Sequence, residues 1–399
     1  MIFTTHWFFL FVAVFFPVYW ALTLPRLRAV ALLAACAVFH VHFAGPAGML
    51  PICVLALVTY ACGLSRRPWL CRLAICICVG ALVFYKYILF FSNGVLGALD
   101  PALGQAAIVQ AKGWLPAAPP LAISFFVFEF VHYLVDVGRG GEPIRRPIEF
   151  GIFAIFFPSL VAGPIKRYQD FTASLRSGLD RIELAEVAAG AQRVALGFVK
   201  KLLVADNLTA GISFYDKSFA ALSPTGAWLL LAALGARIFF DFSGYSDIAI
   251  GLARMMGLRL PENFNWPFLA TSLQGFWQRW HISLSSWIRD YVYIPLGGSR
   301  HGPARRLLNG LLAFAICGVW HGAAWNFVLW GLWHGLGLAI NAGYRDALGP
   351  FGERLARGFA RWPALGWLLT LPFVTFGWLL FFYEPARAAA MAAKLLSFR

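Results

Sequence analysis

The chain has 399 residues, of which 60% are hydrophobic and only 13% charged. Soluble globular domains carry about 25% charged residues, so the composition excludes an ordinary soluble enzyme. A net charge of +15 would point to nucleic acid in a soluble protein, but the basic residues here stand in short loops between apolar runs. That is the positive-inside pattern, and no nucleic-acid partner is expected.

The stretches 1–25, 29–65, 150–165, 307–344 and 362–383 contain no Asp, Glu, Lys or Arg. Each is near or above the roughly 17–25 residues that cross a bilayer as helix. The first span, 6–24, has no basic residue before Arg26 and no small-residue cleavage site after it, so it reads as a retained transmembrane helix and not a signal peptide. Spans follow at 29–44 and 49–64, divided by Gly45-Pro46-Ala47-Gly48, then at 73–92 and 119–138. Alternate early loops carry eight Lys and Arg (Arg26, Arg28, Arg66, Arg67, Arg72, Arg139, Arg145 and Arg146) against Lys112 alone in the others. This asymmetry predicts an N-terminus outside and a cytoplasmic 139–149 loop.

In the middle of the chain the apolar stretches shorten. The run from Phe150 to Leu160 ends at Val161-Ala162-Gly163-Pro164 and reads as re-entrant or interfacial; 181–204 reads as a charged interfacial helix. A span over 224–240 runs into Asp241-Phe242-Ser243-Gly244-Tyr245-Ser246-Asp247. Carboxylates at membrane depth normally face a polar interior, which predicts a cavity or tunnel. Segment 262–301 alternates Trp277, Trp280 and Trp287 with Arg279, His281, Arg289 and Asp290, and reads as a re-entrant or interfacial helix pair. The last spans are 307–322, 324–342 and 364–383. The expected organisation is a single membrane domain over 1–399: scaffold 1–118, catalytic core 119–343, and a C-terminal loop and span 344–399.

The seven cysteines lack metal-ligand spacing with histidine, so neither zinc nor a disulfide framework is expected, and buried free thiols are. His6, His40 and His42 read as structural or interfacial. Glu129, His132 and Asp136 share one helical face, either functional or helix-pairing. His321 sits in the uncharged 307–344 stretch between Trp320 and Gly322, a place for an imidazole with polar work to do. His334 repeats the Trp-His-Gly triplet beside Gly331 and Gly335, where helix packing is the favoured reading. His281, after Arg279-Trp280, is the second candidate for site chemistry.

Taken together these segments resemble the membrane-bound O-acyltransferase (MBOAT) family, and within it the bacterial polysaccharide branch. The matching runs are Ile123-Ser124-Phe125-Phe126, Tyr133-Leu134-Val135-Asp136-Val137, Phe157-Pro158-Ser159-Leu160-Val161-Ala162-Gly163-Pro164-Ile165, Lys200-Lys201 with Ala205-Asp206-Asn207, Phe240 through Asp247, Trp277-Gln278-Arg279-Trp280-His281 through Trp287, and Gly318-Val319-Trp320-His321-Gly322. The resemblance implies an all-α polytopic fold, a ring of about 9–11 transmembrane helices with re-entrant or interfacial helices around a central tunnel. It implies His321 as the catalytic histidine and His281 as the second site position. Trp280, Arg279, Ser283, Trp320, Asp241, Tyr245, Asp247 and Asn263 are the expected substrate- or donor-binding residues, and no metal is implied.

The expected reaction moves a short acyl group, acetyl before others, from a cytoplasmic thioester to an extracytoplasmic polysaccharide hydroxyl or to a partner acyltransferase. No permanently bound cofactor is expected; acetyl-CoA or a phosphopantetheine carrier protein serves as donor substrate. The bilayer, the donor, the polysaccharide and a periplasmic or extracellular acyltransferase are the expected partners, and the bacterial inner membrane is the expected location. Arg279, Arg289, Lys200 and Lys201 are candidates to attract an anionic donor, or else anchor the chain as positive-inside charges. D-alanyl transfer to teichoic acid is the alternative within the enzyme class. A transporter or flippase, and a structural subunit without catalysis, are the alternatives outside it.

Overall fold

The computed structural model describes residues 2–116 and 118–397. The described residues form helices and no strands. Among the described residues four helices are long and apolar enough to cross a membrane: Pro25–Ser65, Pro68–Leu99, Pro224–Met255 and Pro363–Phe382, with His6–Ala21 and Pro147–Ser159 as shorter apolar helices. The other expected crossings, 119–138, 307–322 and 324–342, lie on helices Ile123–Gly138, Gly302–His321 and Trp325–Arg361.

Two departures from the sequence reading have local causes. The spans expected at 29–44 and 49–64 belong to one helical run, Pro25–Ser65, bent at Gly45 (φ 69°, ψ 164°). That conformation is open to glycine and costly for residues with a Cβ, and Pro46 and Pro51 remove two helical donors just beyond it. The stretch after residue 344, expected as a loop, is helical to Arg361 with a break at Gly349, and a further helix, Pro385–Leu396, follows the last span. Cys36, Cys71, Cys78 and Cys317 are buried as expected, whereas Cys53 and Cys62 are half-buried and Cys76 is exposed. Among the described residues four segments take π-helical turns: Val83–Tyr87, Phe91–Leu96, Val199–Ala205 and Arg289–Tyr293.

The chain divides into two compact units, one of Met1–Gly197 with Tyr245–Pro261, the other of Phe198–Gly244 with Glu262–Arg399. In the first unit the polar residues of apolar helices are matched to one another. The Lys166 ammonium donates to Glu129 Oε2 at 2.6 Å and to Ser159 Oγ at 3.4 Å, and lies over the Phe153 and Phe171 rings. His132, one turn from Glu129, accepts the Tyr168 backbone N–H at Nε2, with Nδ1 on the Phe128 carbonyl; Asp136 accepts from Gln169. The stripe Glu129–His132–Asp136 therefore pairs its helix with the 166–169 segment. His40 is stacked on Phe126 and His42 on Trp7.

A second pairing joins helix Leu184–Phe198 to the end of helix Pro224–Met255 in antiparallel register. Glu186 receives Arg254 at 2.8 Å, Gly190 meets the Gly251 backbone, and Arg193 meets Asp247 at 3.0 Å. The two glycines let the backbones approach closely enough for the flanking ion pairs to close.

In the second unit, helix Pro385–Leu396 docks its apolar side, Ala388, Met391 and Leu395, on Leu230, Leu231 and Leu234. Its first turn is fastened by Arg387, which donates to Asp216 Oδ1 at 2.8 Å beside the Tyr383 hydroxyl on the same oxygen at 2.9 Å.

Removing one member of a buried ion pair strands the other charge, at a cost of about 3–5 kcal/mol. Lys166→Met is therefore expected to lower the thermal unfolding midpoint in detergent sharply, and Lys166→Met with Glu129→Leu to recover most of the loss. A double variant as unstable as the single one would show that the pair itself, and not the stranded carboxylate, sets the cost.

Candidate active site

His321 and His281 both belong to the second unit. His321 is the last residue of helix Gly302–His321, which is followed by a short turn and helix Trp325–Arg361. Glycines let these two helices touch at backbone level: a Cβ on Gly318 would collide with the Phe327 carbonyl oxygen, and one on Gly331 with the Phe314 carbonyl oxygen. Gly335 continues the seam against Leu311, as the GxxxG spacing predicts. The half-buried His321 ring is held edge-on by aromatic neighbours, Trp330 at 5.0 Å, Phe381 at 5.3 Å and Trp320 at 4.9 Å between ring centres.

His281 comes from a different kind of backbone. It precedes the seven-residue helix Ile282–Ile288 with φ 42° and ψ 54°, a left-handed conformation uncommon for a residue with a Cβ and worth of order 1–3 kcal/mol of strain. Asn263 holds the turn in place. Its carbonyl accepts the Ile282 N–H at 3.0 Å, and its side-chain Oδ1 accepts the Ser283 hydroxyl at 2.6 Å and the Ser283 N–H at 3.4 Å. The Asn265 N–H reaches the Arg279 carbonyl at 2.9 Å on the other side. Two of the unpaired N–H groups at the start of the helix are thereby satisfied from outside it.

This turn places the His281 ring 6.4 Å from that of His321 and 4.6 Å, edge-on, from Phe242. His281 is 2% exposed, and its Nε2 has no hydrogen-bond partner among the described residues. A buried unbonded ring nitrogen on a ring beside a second imidazole is a costly arrangement for structure alone, and a serviceable one for a polar reactant.

The same unit holds a cavity of about 490 Å³, whose lining includes sequence neighbours of the pair and neither histidine itself. It is lined by Ile282, next to His281, and by Cys317, one turn before His321, with Trp277 and Phe314 in its apolar part and Arg289 and Arg306 among its polar groups. The two arginines also meet Asp290 and Asp346.

Of the other expected site residues, Trp280 packs between Phe276 and Trp378 behind the His281 turn, Trp320 lies 6.2 Å from His281, and Arg279 is half-buried. Asn263 and Ser283 bond to each other. Asp241 meets Lys201 at 2.8 Å, and Asp206 meets the same ammonium at 2.7 Å. Burial alone would lower the Lys201 ammonium, but these carboxylates outweigh it and hold it above its ordinary value. Tyr245 and Asp247 belong to the first unit, where the Tyr245 hydroxyl accepts the Val161 N–H and Asp247 pairs with Arg193.

Sequence reasoning missed the rings that enclose the histidines, Trp330, Phe381 and Phe242. Trp330 stands one helical turn before His334, a weak signal. Phe242 stood in the matching run Phe240 through Asp247 without being singled out and Phe381 had no signal, because aromatic residues are 17% of the chain and occur in every apolar run.

Asn263→Ala should leave the Ser283 hydroxyl and N–H without their buried acceptor and cost about 1–3 kcal/mol. Asn263→Asp, which keeps an oxygen at that position, should retain most of the stability. Thermal unfolding of both variants checks the clamp; equal midpoints for Asn263→Ala and the unaltered protein would refute it.

The description "MBOAT, membrane-bound O-acyltransferase family" matches residues 144–383. A probable alginate O-acetylase of Azotobacter vinelandii is 36% identical over 417 aligned residues, covering 100% of this chain and 78% of that protein. A peptidoglycan O-acetyltransferase of Helicobacter pylori is 32% identical over 69% of this chain and 56% of its own. A teichoic acid D-alanyltransferase of Bacillus subtilis is 28% identical over 66% of this chain and 69% of its own. The family match spans both candidate histidines and the segments that position them, and the chain is a member of the membrane-bound O-acyltransferase family.

Proposed function

We propose that this O-acyltransferase moves an acetyl group from a cytoplasmic thioester to a hydroxyl of an extracytoplasmic polysaccharide, directly or through a partner acyltransferase, with His321 as general base. The observation that carries the reading is the pair of imidazoles with ring centres 6.4 Å apart and His281 Nε2 unbonded among the described residues.

In the reaction, His321 takes the proton of the acceptor hydroxyl as its oxygen attacks the thioester carbonyl. Charge develops on the carbonyl oxygen, where His281, in the tautomer carrying hydrogen on Nε2, can donate. The tetrahedral intermediate collapses with cleavage of the C–S bond, and the departing thiolate takes the proton from the His321 imidazolium. The products are an ester and a free thiol, and both histidines return to their starting state.

The 490 Å³ cavity suits the donor side. Its apolar wall fits a thin pantetheine-like arm, and Arg289 and Arg306 supply positive charge for a phosphate-bearing donor, whether acetyl-CoA or a carrier protein. Similarity over the whole chain to a probable alginate O-acetylase favours acetyl over D-alanyl transfer. It also favours a bacterial inner-membrane location, and the loop charges favour an N-terminus outside. The transporter alternative loses its main support, because the intramembrane carboxylates Asp241 and Asp247 are paired with Lys201 and Arg193.

Purified protein given labelled acetyl-CoA and a polysaccharide fraction should release CoA and label the polymer. His321→Ala should lower that rate by about 10²–10⁴-fold without loss of folded protein. Wild-type rates in His321→Ala would overturn the assignment of the base, and labelling only with a D-alanyl carrier donor would replace acetyl by D-alanyl.

A further inference from the structure

Two walls of the 490 Å³ cavity lead towards the candidate histidines. On helix Gly302–His321 the lining residues Arg306, Gly310, Ala313 and Cys317 recur every three or four positions on one face, with Phe314 beside them. His321 is the next position on that face, one turn beyond Cys317. The opposite wall is formed by Ile282, Ser285, Ser286, Arg289 and Tyr293, and Ile282 is joined to His281. From Arg306 to Cys317 the helix rises about 16 Å, at about 1.5 Å per residue.

The lining changes character along that length. Arg306 and Arg289 stand away from the histidines, each with a carboxylate partner outside the lining, Asp346 and Asp290. Near the histidines it is apolar, with Cys317, Ile282 and Trp277. Small side chains leave the space open, since Gly310, Ala313, Gly335 and Ala339 all belong to the lining. No Asp or Glu is among the described residues that line the cavity.

If the donor lies in this cavity, its direction follows. Phosphate belongs at the arginines, which leaves the thioester and its acyl group at Cys317 and Ile282, the last lining residues before the two histidines. Acyl groups of one shape fare differently there when one of them is charged. An ammonium entering the apolar end gives up its hydration and meets no carboxylate, which is costly. A methyl group in the same place gains by leaving water.

We propose that the cavity selects donors by acyl charge, admitting neutral acyl groups and turning away aminoacyl groups, with Cys317 and Ile282 as the specificity-determining residues. The proposal rests on the reading of the cavity as the donor's place in acetyl transfer.

Propionyl-CoA and glycyl-CoA test it, because a methyl in one stands where the other has an ammonium. Where either is accepted, the step is the same: the C–S bond breaks, the ester C–O bond forms, and the acceptor's proton ends on the thiol of free CoA. Below about pH 7 an α-ammonium, with an ordinary pKa of about 7.7–8.0, is charged. There, with the full-length detergent-solubilised protein and the polysaccharide fraction, kcat/KM for glycyl-CoA should lie about 10²-fold or more below that for propionyl-CoA. The gap should narrow as the pH rises through that pKa, and protonation changes in the protein, common to both donors, cancel in the ratio.

Cys317→Asp supplies the missing countercharge and should shift the ratio towards glycyl-CoA by about tenfold; Cys317→Asn, of the same shape without the charge, should not. Ile282→Asp repeats the test from the opposite wall and stands in if Cys317→Asp does not fold. Equal kcat/KM for the two donors in the wild type, or a ratio that neither carboxylate moves, would overturn the proposal.

Protection of Cys317 gives a readout that needs no turnover. A methanethiosulfonate reagent entering the cavity modifies the Cys317 thiol, and mass spectrometry of its peptide measures the extent. Propionyl-CoA should slow the modification, and glycyl-CoA at the same concentration should slow it far less. A Cys317 that does not react, or equal protection by the two, rejects the proposal. Selective protection in a protein that transfers no acetyl group rejects the acetyl-transfer reading alone.

Discussion

The backbone contact between helices Gly302–His321 and Trp325–Arg361 is the constraint from which the site follows. An imidazole at the end of an apolar helix has to be enclosed by other groups if it is to keep one orientation, and enclosure needs the neighbouring helix close at hand. Gly318 and Gly331 allow it, since a methyl group at either would strike a carbonyl oxygen of the facing helix. With the two helices in contact, Trp330 lies against His321, and Phe381 of the last span completes the aromatic wall. In an apolar medium helix association draws on such close packing, because burying leucines against leucines gains little there over burying them against lipid.

The second histidine is held by the opposite means. Where His321 rides on a long helix, His281 sits in a strained left-handed turn kept in place by the hydrogen bonds of Asn263. One group is therefore set by helix packing and the other by a polar clamp. Elsewhere the molecule uses matched charges. Glu129 with Lys166, Arg193 with Asp247, and Lys201 between Asp206 and Asp241 satisfy one another within their own units. Apolar helices can carry these groups because each has its partner close by.

How much of this was legible in the sequence depends on the kind of signal. Uncharged runs and loop charges revealed a helical membrane protein, and the Trp-His-Gly and Arg-Trp-His segments marked the two histidines, because a lone imidazole stands out against an apolar run. Pairings across the chain did not show. Nothing near Asp247 in sequence says that Arg193 is its partner. Asn263 and Ser283 were expected as substrate- or donor-binding residues, and only the three-dimensional turn shows them bonded to each other. The stretch after residue 344 was expected as a loop, yet the helix runs on through it to Arg361 with a single irregular residue at Gly349.

The π-helical turns carry a consequence for the ancestry of the chain. Each is one residue longer than the α-helical turn it replaces, and such turns gather near functional sites. Two of the four occur where charged residues are grouped, Val199–Ala205 with Lys200 and Lys201 and Arg289–Tyr293 beside the large cavity. Deleting one residue from either would restore regular helix and swing every side chain beyond it by about 100° around the axis. A deletion between Lys201 and Asp206 would then separate that ion pair. Single-residue gaps in alignments with longer-diverged relatives should therefore fall at these turns, and each gap would mark a lineage in which the charged groups have been redistributed.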